Sequence, residues 1–184
     1  MSGLCLIVLA ACATTSQILP IQPKLDVSAM PGRGAGKTLS VAVIDARPGQ
    51  FIGYREPRDK STAITAAPEA LENIQRTIET AYAELGFELV APGAAADVVL
   101  EVKLVELDYH LERDGVIRNL RTAATLKATS VLKTKTVKGT YRDAQAKETV
   151  IKPSLYENAA TLNTHLDAAM LALVSDDRLT SEDW

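Results

Sequence analysis

Two long runs of alternating apolar and polar residues, separated by a turn signal, constrain the fold more than any other feature of the sequence. The first run covers residues 97–113 and the second covers residues 116–132. Such alternation is typical of strands with one buried face, and Asp114-Gly115 between the runs favours a tight hairpin turn. The chain is therefore expected to build a sheet that is mainly antiparallel.

The alternation changes phase in the middle of the first run. Apolar side chains fall at even positions from Val98 to Leu104, and at odd positions from Val105 to Leu111. One extra residue on this strand would return both sets to the same face. The sequence therefore predicts a β-bulge between Leu104 and Val105.

The rest of the chain supplies further strands and two amphipathic helices. The predicted strands cover 39–45, 87–90 and a region through Val137 and Tyr141, and the predicted helices cover 68–86 and a stretch from Ser154 onward. Ser154 and Glu157 form a capping-box pattern at the second helix. Two amphipathic helices need one apolar surface to cover, which predicts an α+β two-layer sandwich. Both helices are expected on one face of the sheet. The predicted order of elements along the chain is β-α-β-β-β-β-α.

Composition excludes several classes of protein. The chain has 184 residues, 47% of them hydrophobic, with a net charge of −3. This balance argues against a nucleic-acid-binding domain, which is usually strongly basic. The two cysteines, Cys5 and Cys12, both precede the predicted domain, so neither a disulfide within it nor a cysteine-based zinc site is expected.

The glycine-rich stretch GRGAGKTLS, residues 32–40, contains a partial match to the phosphate-binding loop of nucleotide-binding proteins. Gly36, Lys37 and Thr38 match the last three positions of that motif. Pro31 stands where the motif needs its first glycine, and a strand rather than a helix follows. Since proline has no N–H to offer a phosphate, the sequence predicts no nucleotide binding.

The N-terminus carries a short apolar run, LCLIVLAAC, that ends at a cysteine. Leu9-Ala10-Ala11-Cys12 resembles the lipobox of bacterial lipoproteins. The resemblance implies a diacylglyceryl thioether on Cys12, cleavage before it and an acylated amine. Ala13 then implies delivery to the outer membrane. The alternative is an apolar tail or strand at the start of a cytosolic protein.

This interpretation divides the chain into three parts. Residues 1–11 are the expected signal peptide, and residues 12–37 are the expected lipidated tether, rich in Thr, Ser, Pro and Gly. Residues 38–184 are the expected single α+β periplasmic domain.

The whole layout resembles the YajG family of bacterial envelope lipoproteins. The resemblance rests on the lipobox, on the stretches VAVIDARP and IETAYAELGFELV, on the long hairpin and on the last helix running into LVSDDRL. It implies a periplasmic domain anchored to the outer membrane, with no established activity. It supplies no catalytic residues.

The residues themselves offer little chemistry. There is no G-x-S-x-G motif, no Ser/His/Asp set at useful spacing and no free cysteine for nucleophilic catalysis, so neither an enzyme nor a cofactor is predicted. Asp108, His110, Glu112 and Asp114 alternate on one strand face. They could form a weak metal site, but a solvated hairpin edge is the favoured interpretation, and no metal is predicted.

A long polar loop, residues 47–60, carries the candidate partner contacts. Phe51, Ile52 and Tyr54 stand among charged residues there, and aromatic side chains on a loop can anchor a partner. The alternative is that Phe51 and Ile52 fold back over the edge of the core. The sequence thus favours a non-catalytic accessory or interaction module of the envelope. The alternative function is a carrier of lipid or another apolar ligand between helices and sheet.

Overall fold

Ten helices and strands make up the part of the chain that the computed structural model describes, residues 16–56, 59–133 and 135–181. In chain order they are β1 (Gln17–Leu19), β2 (Thr38–Asp45), β3 (Phe51–Tyr54), β4 (Ala63–Ala66), α1 (Ala70–Glu84), β5 (Glu88–Val90), β6 (Val98–Asp114), β7 (Ile117–Leu132), β8 (Lys135–Thr149) and α2 (Leu155–Val174). Two short 3-10 turns lie before β4, at Lys60–Thr62, and after α2, at Asp177–Leu179.

The β6–β7 hairpin forms as predicted, and so does its bulge. The register of the pair shifts between Leu104 and Glu106, and Leu104 and Leu107 are both buried in the core. The turn lies one residue later than predicted, because Asp114 is the partner of Ile117 and the turn is made by the two residues between them.

One edge of β6 is shared by two partner strands. Its first half pairs in parallel with β2, and its second half meets β3, where Gly53 lies opposite Tyr109. A Cβ on Gly53 would lie 1.9 Å from the Tyr109 carbonyl oxygen, so β3 can approach only with glycine at this position. The bulge falls between the two partners.

The sheet extends on both sides of β6. Beyond β2 lies β5, beyond β3 lie β4 and then β1, and β7 and β8 follow on the opposite edge. The two longest pairs, β6–β7 and β7–β8, are antiparallel, whereas β2 is parallel to both β5 and β6. The short strands β1, β3 and β4 were not predicted, because three or four residues are too few to show alternation.

Both α-helices contact each other and cover one face of this sheet. In α2 the predicted capping box is present: the Glu157 amide donates to Ser154 Oγ at 3.2 Å, and the Ser154 amide donates to Glu157 Oε2 at 2.7 Å. The apolar face of α1 packs on β2 and β5, and that of α2 packs on β7 and β8. The predicted α+β two-layer sandwich is therefore confirmed.

The segment predicted as a tether is instead part of the folded domain. Leu19, Ile21 and Val27 are at most 2% exposed, and β1 within it pairs with β4. We call residues 16–36 the N-terminal segment. It runs alongside α2 in the same direction, with hydrogen bonds that join Gln17 to Asn158, Gln22 to Asn163, Lys24 to Asp167 and Arg33 to Val174.

The tether prediction is thus wrong from Gln17 onward. Three prolines interrupt this segment, so its apolar residues show no helical or strand periodicity and the sequence favoured a loop. The backbone amides of Gln22 and Lys24 are satisfied by the Asn163 and Asp167 side chains of α2, at 2.8 and 2.7 Å, rather than by a neighbouring strand. Irregular backbone packs well when side chains supply the missing partners.

Candidate functional site

The predicted site residues fall into three situations. Cys12 lies outside the described residues. Ile52 is 1% exposed and belongs to the core, so its prediction as a partner contact is wrong. Phe51 is 46% exposed, and its ring centroid lies 4.5 Å from that of Tyr54. Because these residues form strand β3 rather than a mobile loop, Ile52 points into the core while Phe51 faces out.

The glycine-rich stretch serves packing between the N-terminal segment and α1. The amides of Arg33 and Gly34 both donate to the Leu85 carbonyl, at 2.8 and 2.9 Å, at the C-terminal end of α1. A Cβ on Gly34 would lie 2.1 Å from the carbonyl carbon of Gly86, so the close approach requires glycine. Amides aimed at a helix C-terminus are engaged with carbonyls, which is the reverse of a phosphate site.

A Thr–His–Asp chain of hydrogen bonds joins β7, α2 and β8; Thr122 and His165 are buried, whereas the Asp143 side chain is 42% exposed. Thr122 Oγ1 lies 2.8 Å from His165 Nε2, and His165 Nδ1 lies 2.5 Å from Asp143 Oδ2. This order of contacts is that of a hydrolase triad. Such a set is not visible in the sequence, since the three residues are far apart in the chain and the nucleophile position holds threonine.

The surroundings of this chain of contacts favour a structural role. Thr122 is 3% exposed and His165 is 4% exposed, so Thr122 Oγ1 lies between strand and helix with no room for a substrate carbonyl. Both ring nitrogens of a buried histidine are satisfied, which holds α2 in register on the sheet. The sequence does carry one sign of this contact. His165 follows Leu162 on the apolar face of α2, and a polar residue there needs a buried hydrogen-bond partner.

Exposed apolar side chains concentrate at one end of the molecule. Of the twelve large hydrophobic residues exposed in the described chain, six lie here, and we call them the apolar end: Val116, Ile117, Val150, Ile151, Leu155 and Tyr156. The hairpin turn and the loop after β8 are neighbours, since Arg118 pairs with Thr149 and its guanidinium donates to the Val150 carbonyl at 2.7 Å. Clustered exposed apolar groups typically mark an interaction surface.

The described chain begins beside this apolar end. Gln17 Oε1 accepts a hydrogen bond of 3.0 Å from Asn158, in the first turn of α2, directly after Leu155 and Tyr156. Ile18, the next residue, is 61% exposed. The described part of the chain therefore starts at the apolar end.

The opposite end is sealed by polar contacts around the last turn of α2. Arg33, whose side chain is 15% exposed, donates to the carbonyls of Val174 and Ser175 and pairs with Asp177. These carbonyls are among those that a helix leaves without an internal partner at its C-terminus. Arg33 is therefore the C-terminal cap of α2.

Strands β7 and β8 complete this seal. Ser130 Oγ donates to the Leu179 carbonyl at 2.6 Å, and the Tyr141 hydroxyl donates to Asp176 Oδ2 at 2.6 Å. The Arg178 guanidinium makes two hydrogen bonds to the Asp176 carboxylate, which lowers the pKa of Asp176 to about 2. We call Arg33, Ser130, Tyr141, Asp176 and Leu179 the closed end.

The open face of the sheet is charged. His110 Nε2 lies 3.2 Å from Glu112 Oε1, and Arg121 Nη2 lies 3.6 Å from the other Glu112 oxygen, all at exposed positions. Within residues 16–56, 59–133 and 135–181, no group of three His, Cys, Asp or Glu side chains is placed to hold a metal ion. Neither helix of this part of the chain is long and apolar enough to cross a bilayer.

The chain belongs to a family of uncharacterized lipoproteins, whose family model matches residues 23–181. That match begins inside the N-terminal segment, in agreement with a domain that includes it. A search of curated proteins gives no significant match.

A solved structure shares the fold. Protein XCC0632 from Xanthomonas campestris, of family DUF330, is similar with a TM-score of 0.59 at 13% identity, over 86% of this chain and 93% of that one. More distant similarities include PelC from Paraburkholderia phytofirmans, solved as a dodecamer, with a TM-score of 0.40 at 14% identity over 79% of this chain and 92% of PelC. Another is lipoprotein GNA1162 from Neisseria meningitidis, at 0.37 and 12% identity, over 79% of this chain and 99% of GNA1162.

Proposed function

We propose that this chain is a YajG-type envelope lipoprotein that is anchored through Cys12 and serves as a non-catalytic interaction module. The observation that carries the proposal is the position of Leu9-Ala10-Ala11-Cys12 just before a domain of a lipoprotein family. Ala13 favours the outer membrane and its periplasmic face. Two or more acyl chains on Cys12 would hold the protein stably at the bilayer.

An interaction role is favoured over a carrier role. The side chains between helices and sheet, such as Leu126, Leu166 and Met170, are fully buried against one another. The clefts identified on the described residues are lined mostly by polar and charged side chains at the surface. A carrier needs an apolar cavity, whereas a module needs anchors at the surface, such as exposed Phe51 and the half-buried Tyr54 beside it.

Replacement of Cys12 tests the anchor. In cell fractionation, Cys12→Ala should move the protein from the membrane to the soluble or unprocessed pool, because the acyl chains supply the membrane affinity. Cys5→Ala is the matched control, since Cys5 lies in the segment that is removed, and it should fractionate like the wild type. Equal membrane recovery of Cys12→Ala and wild type would refute lipid anchoring.

The partner surface is tested by crosslinking in intact cells with Phe51→Ala combined with Tyr54→Ala. The crosslinks to an envelope protein should be lost while the melting temperature stays nearly constant, because Phe51 is exposed. Ile52→Ala provides the contrast: it should lower stability by about 2–5 kcal/mol, since the side chain is buried. Unfolding of the Phe51/Tyr54 variant, or unchanged crosslinks, would place the partner surface elsewhere.

A further inference from the structure

We infer that the apolar end is a membrane-contact surface, which rests on the bilayer beside the lipidated cysteine and fixes the orientation of the domain. The inference rests on the proposed anchor at Cys12. It adds a second point of attachment, made by the side chains of Val116, Ile117, Val150, Ile151, Leu155 and Tyr156.

The short chain between the anchor and the domain limits which end can reach the membrane. Four residues lie between Cys12 and Gln17, so five Cα-to-Cα steps join them, and an extended chain of that length spans at most about 18 Å. Gln17 is bonded to the first turn of α2, whose 20 residues extend for about 30 Å. The closed end, at the last turn of α2, therefore lies beyond the reach of the anchor, and the apolar end lies within it.

The chemistry of the apolar end suits a lipid surface. Val150, Ile151 and Tyr156 are 67, 79 and 79% exposed, so their side chains are free to enter the boundary between headgroups and acyl chains. Tyrosine is favoured at that boundary because its ring is apolar and its hydroxyl is polar.

Charge plays little part in this contact. Residues 145–157 carry two basic and two acidic side chains, Lys147, Lys152, Glu148 and Glu157, so their formal charges cancel. Residues 112–118 carry Arg113, Arg118, Glu112 and Asp114, which also cancel. The contact should therefore depend on apolar surface and should hardly change with ionic strength, unlike a polybasic membrane site.

The test uses the full lipidated chain, purified with its acyl groups and reconstituted into vesicles of phosphatidylethanolamine and phosphatidylglycerol. An environment-sensitive dye is attached to Ile151→Cys. Cys5 leaves with the signal peptide and the Cys12 sulfur is held in a thioether, so the introduced thiol is the reactive one. The same dye on Lys138→Cys, an exposed position nearer the other end of β8, is the control.

The dye at 151 should shift its emission to shorter wavelength on reconstitution and should be quenched by a lipid-borne quencher, while the dye at 138 should show neither effect. Val116→Ser with Tyr156→Ser should abolish the shift at 151. The matched pair Val99→Ser with Val131→Ser, exposed at the far end of the hairpin, should leave it intact. Added salt should not reverse it.

Three results would overturn the inference. If the protein floats with the vesicles but neither dye responds, the anchor stands and the contact surface is wrong. If the dye at 151 shifts equally without vesicles as protein concentration rises, the apolar end joins copies of the chain instead. If the protein carries no acyl mass and does not float, the proposed anchor fails, and this inference fails with it.

Discussion

The two ends of α2 have opposite surroundings: polar contacts within the chain surround its last turn, and exposed apolar side chains surround its first turn. At its last turn, Arg33 and the contacts among Ser130, Tyr141, Asp176 and Leu179 satisfy the polar groups, and Leu179 is fully buried. At its first turn, Leu155 and Tyr156 remain exposed together with the hairpin turn and the loop after β8. The comparison shows that the fold can seal an end by itself, so the unsealed end is available for something outside the domain.

The two ends are expected to differ in how much they contribute to the stability of the domain. Contacts at the closed end are made within the chain, so their loss should destabilise the protein. Side chains at the apolar end are mostly exposed in the isolated domain, so their loss should leave stability nearly unchanged. Substitutions at the two ends should therefore affect the free energy of unfolding very differently.

Among substitutions at the two ends of α2, the largest effect on stability is expected for Arg33→Ala at the closed end. The substitution removes the cap from the Val174 and Ser175 carbonyls and leaves the pocket of a side chain that is 15% exposed. Loss of hydrogen bonds from a charged donor and exposure of unpaired carbonyls should lower the free energy of unfolding by about 3 kcal/mol. Urea unfolding followed by circular dichroism measures the change.

The matched variant at the apolar end is Ile151→Ser with Tyr156→Ser. Because both side chains are exposed, the free energy of unfolding should change by no more than about 0.5 kcal/mol. If this pair destabilised the domain as much as Arg33→Ala, the apolar end would be part of the core and the comparison would collapse.

A smaller, pH-dependent effect is expected for Asp176→Asn. The Arg178 hydrogen bonds lower the pKa of Asp176 to about 2 in the folded protein, from 3.8. A lowered carboxyl pKa stabilises the folded state above the unfolded value, and this contribution is lost as pH falls from about 4 to about 2. The variant should be less stable by about 1–2 kcal/mol at pH 7, and its difference from the wild type should shrink toward pH 2.

Unfolding of both proteins at pH 7 and near pH 2 tests this expectation. Asp114→Asn, in an exposed position next to the hairpin turn, is the control and should change stability by no more than about 0.5 kcal/mol. A deficit of Asp176→Asn that stayed constant down to pH 2 would show that the Arg178 pair does not stabilise the closed end through its charge.

The elements governed by local rules could be predicted from the sequence. The alternation of residues 97–132 gave the hairpin, the phase change at Leu104 gave the bulge, and Ser154 with Glu157 gave the start of α2. Each of these depends on side chains a few residues apart, so the pattern is visible without knowledge of the rest of the fold. The turn was misplaced by one residue, because the register of the whole pair, not Asp114-Gly115 alone, sets its position.

The features that depend on distant residues could not be predicted. The N-terminal segment has no period of its own, and its structure follows from contacts with α2. The Thr122–His165–Asp143 chain joins two strands to a helix whose relative placement the sequence does not encode locally. Ile52 was misjudged for the same kind of reason, since only the pairing of β3 with β6 and β4 decides which side chain of FIGY faces inward.

The attachment of the N-terminal segment to α2 also determines the order in which the domain can be completed. Gln17 and Asn158 are 141 residues apart, and Lys24 and Asp167 are 143 apart. The first part of the domain to be synthesised thus waits for the last helix, and such long loop closures slow folding. During that interval the α2 side chains that bond Gln17, Gln22 and Lys24 are absent, so the segment is held only by its contacts with the earlier elements, such as Asn73 and Thr77 of α1.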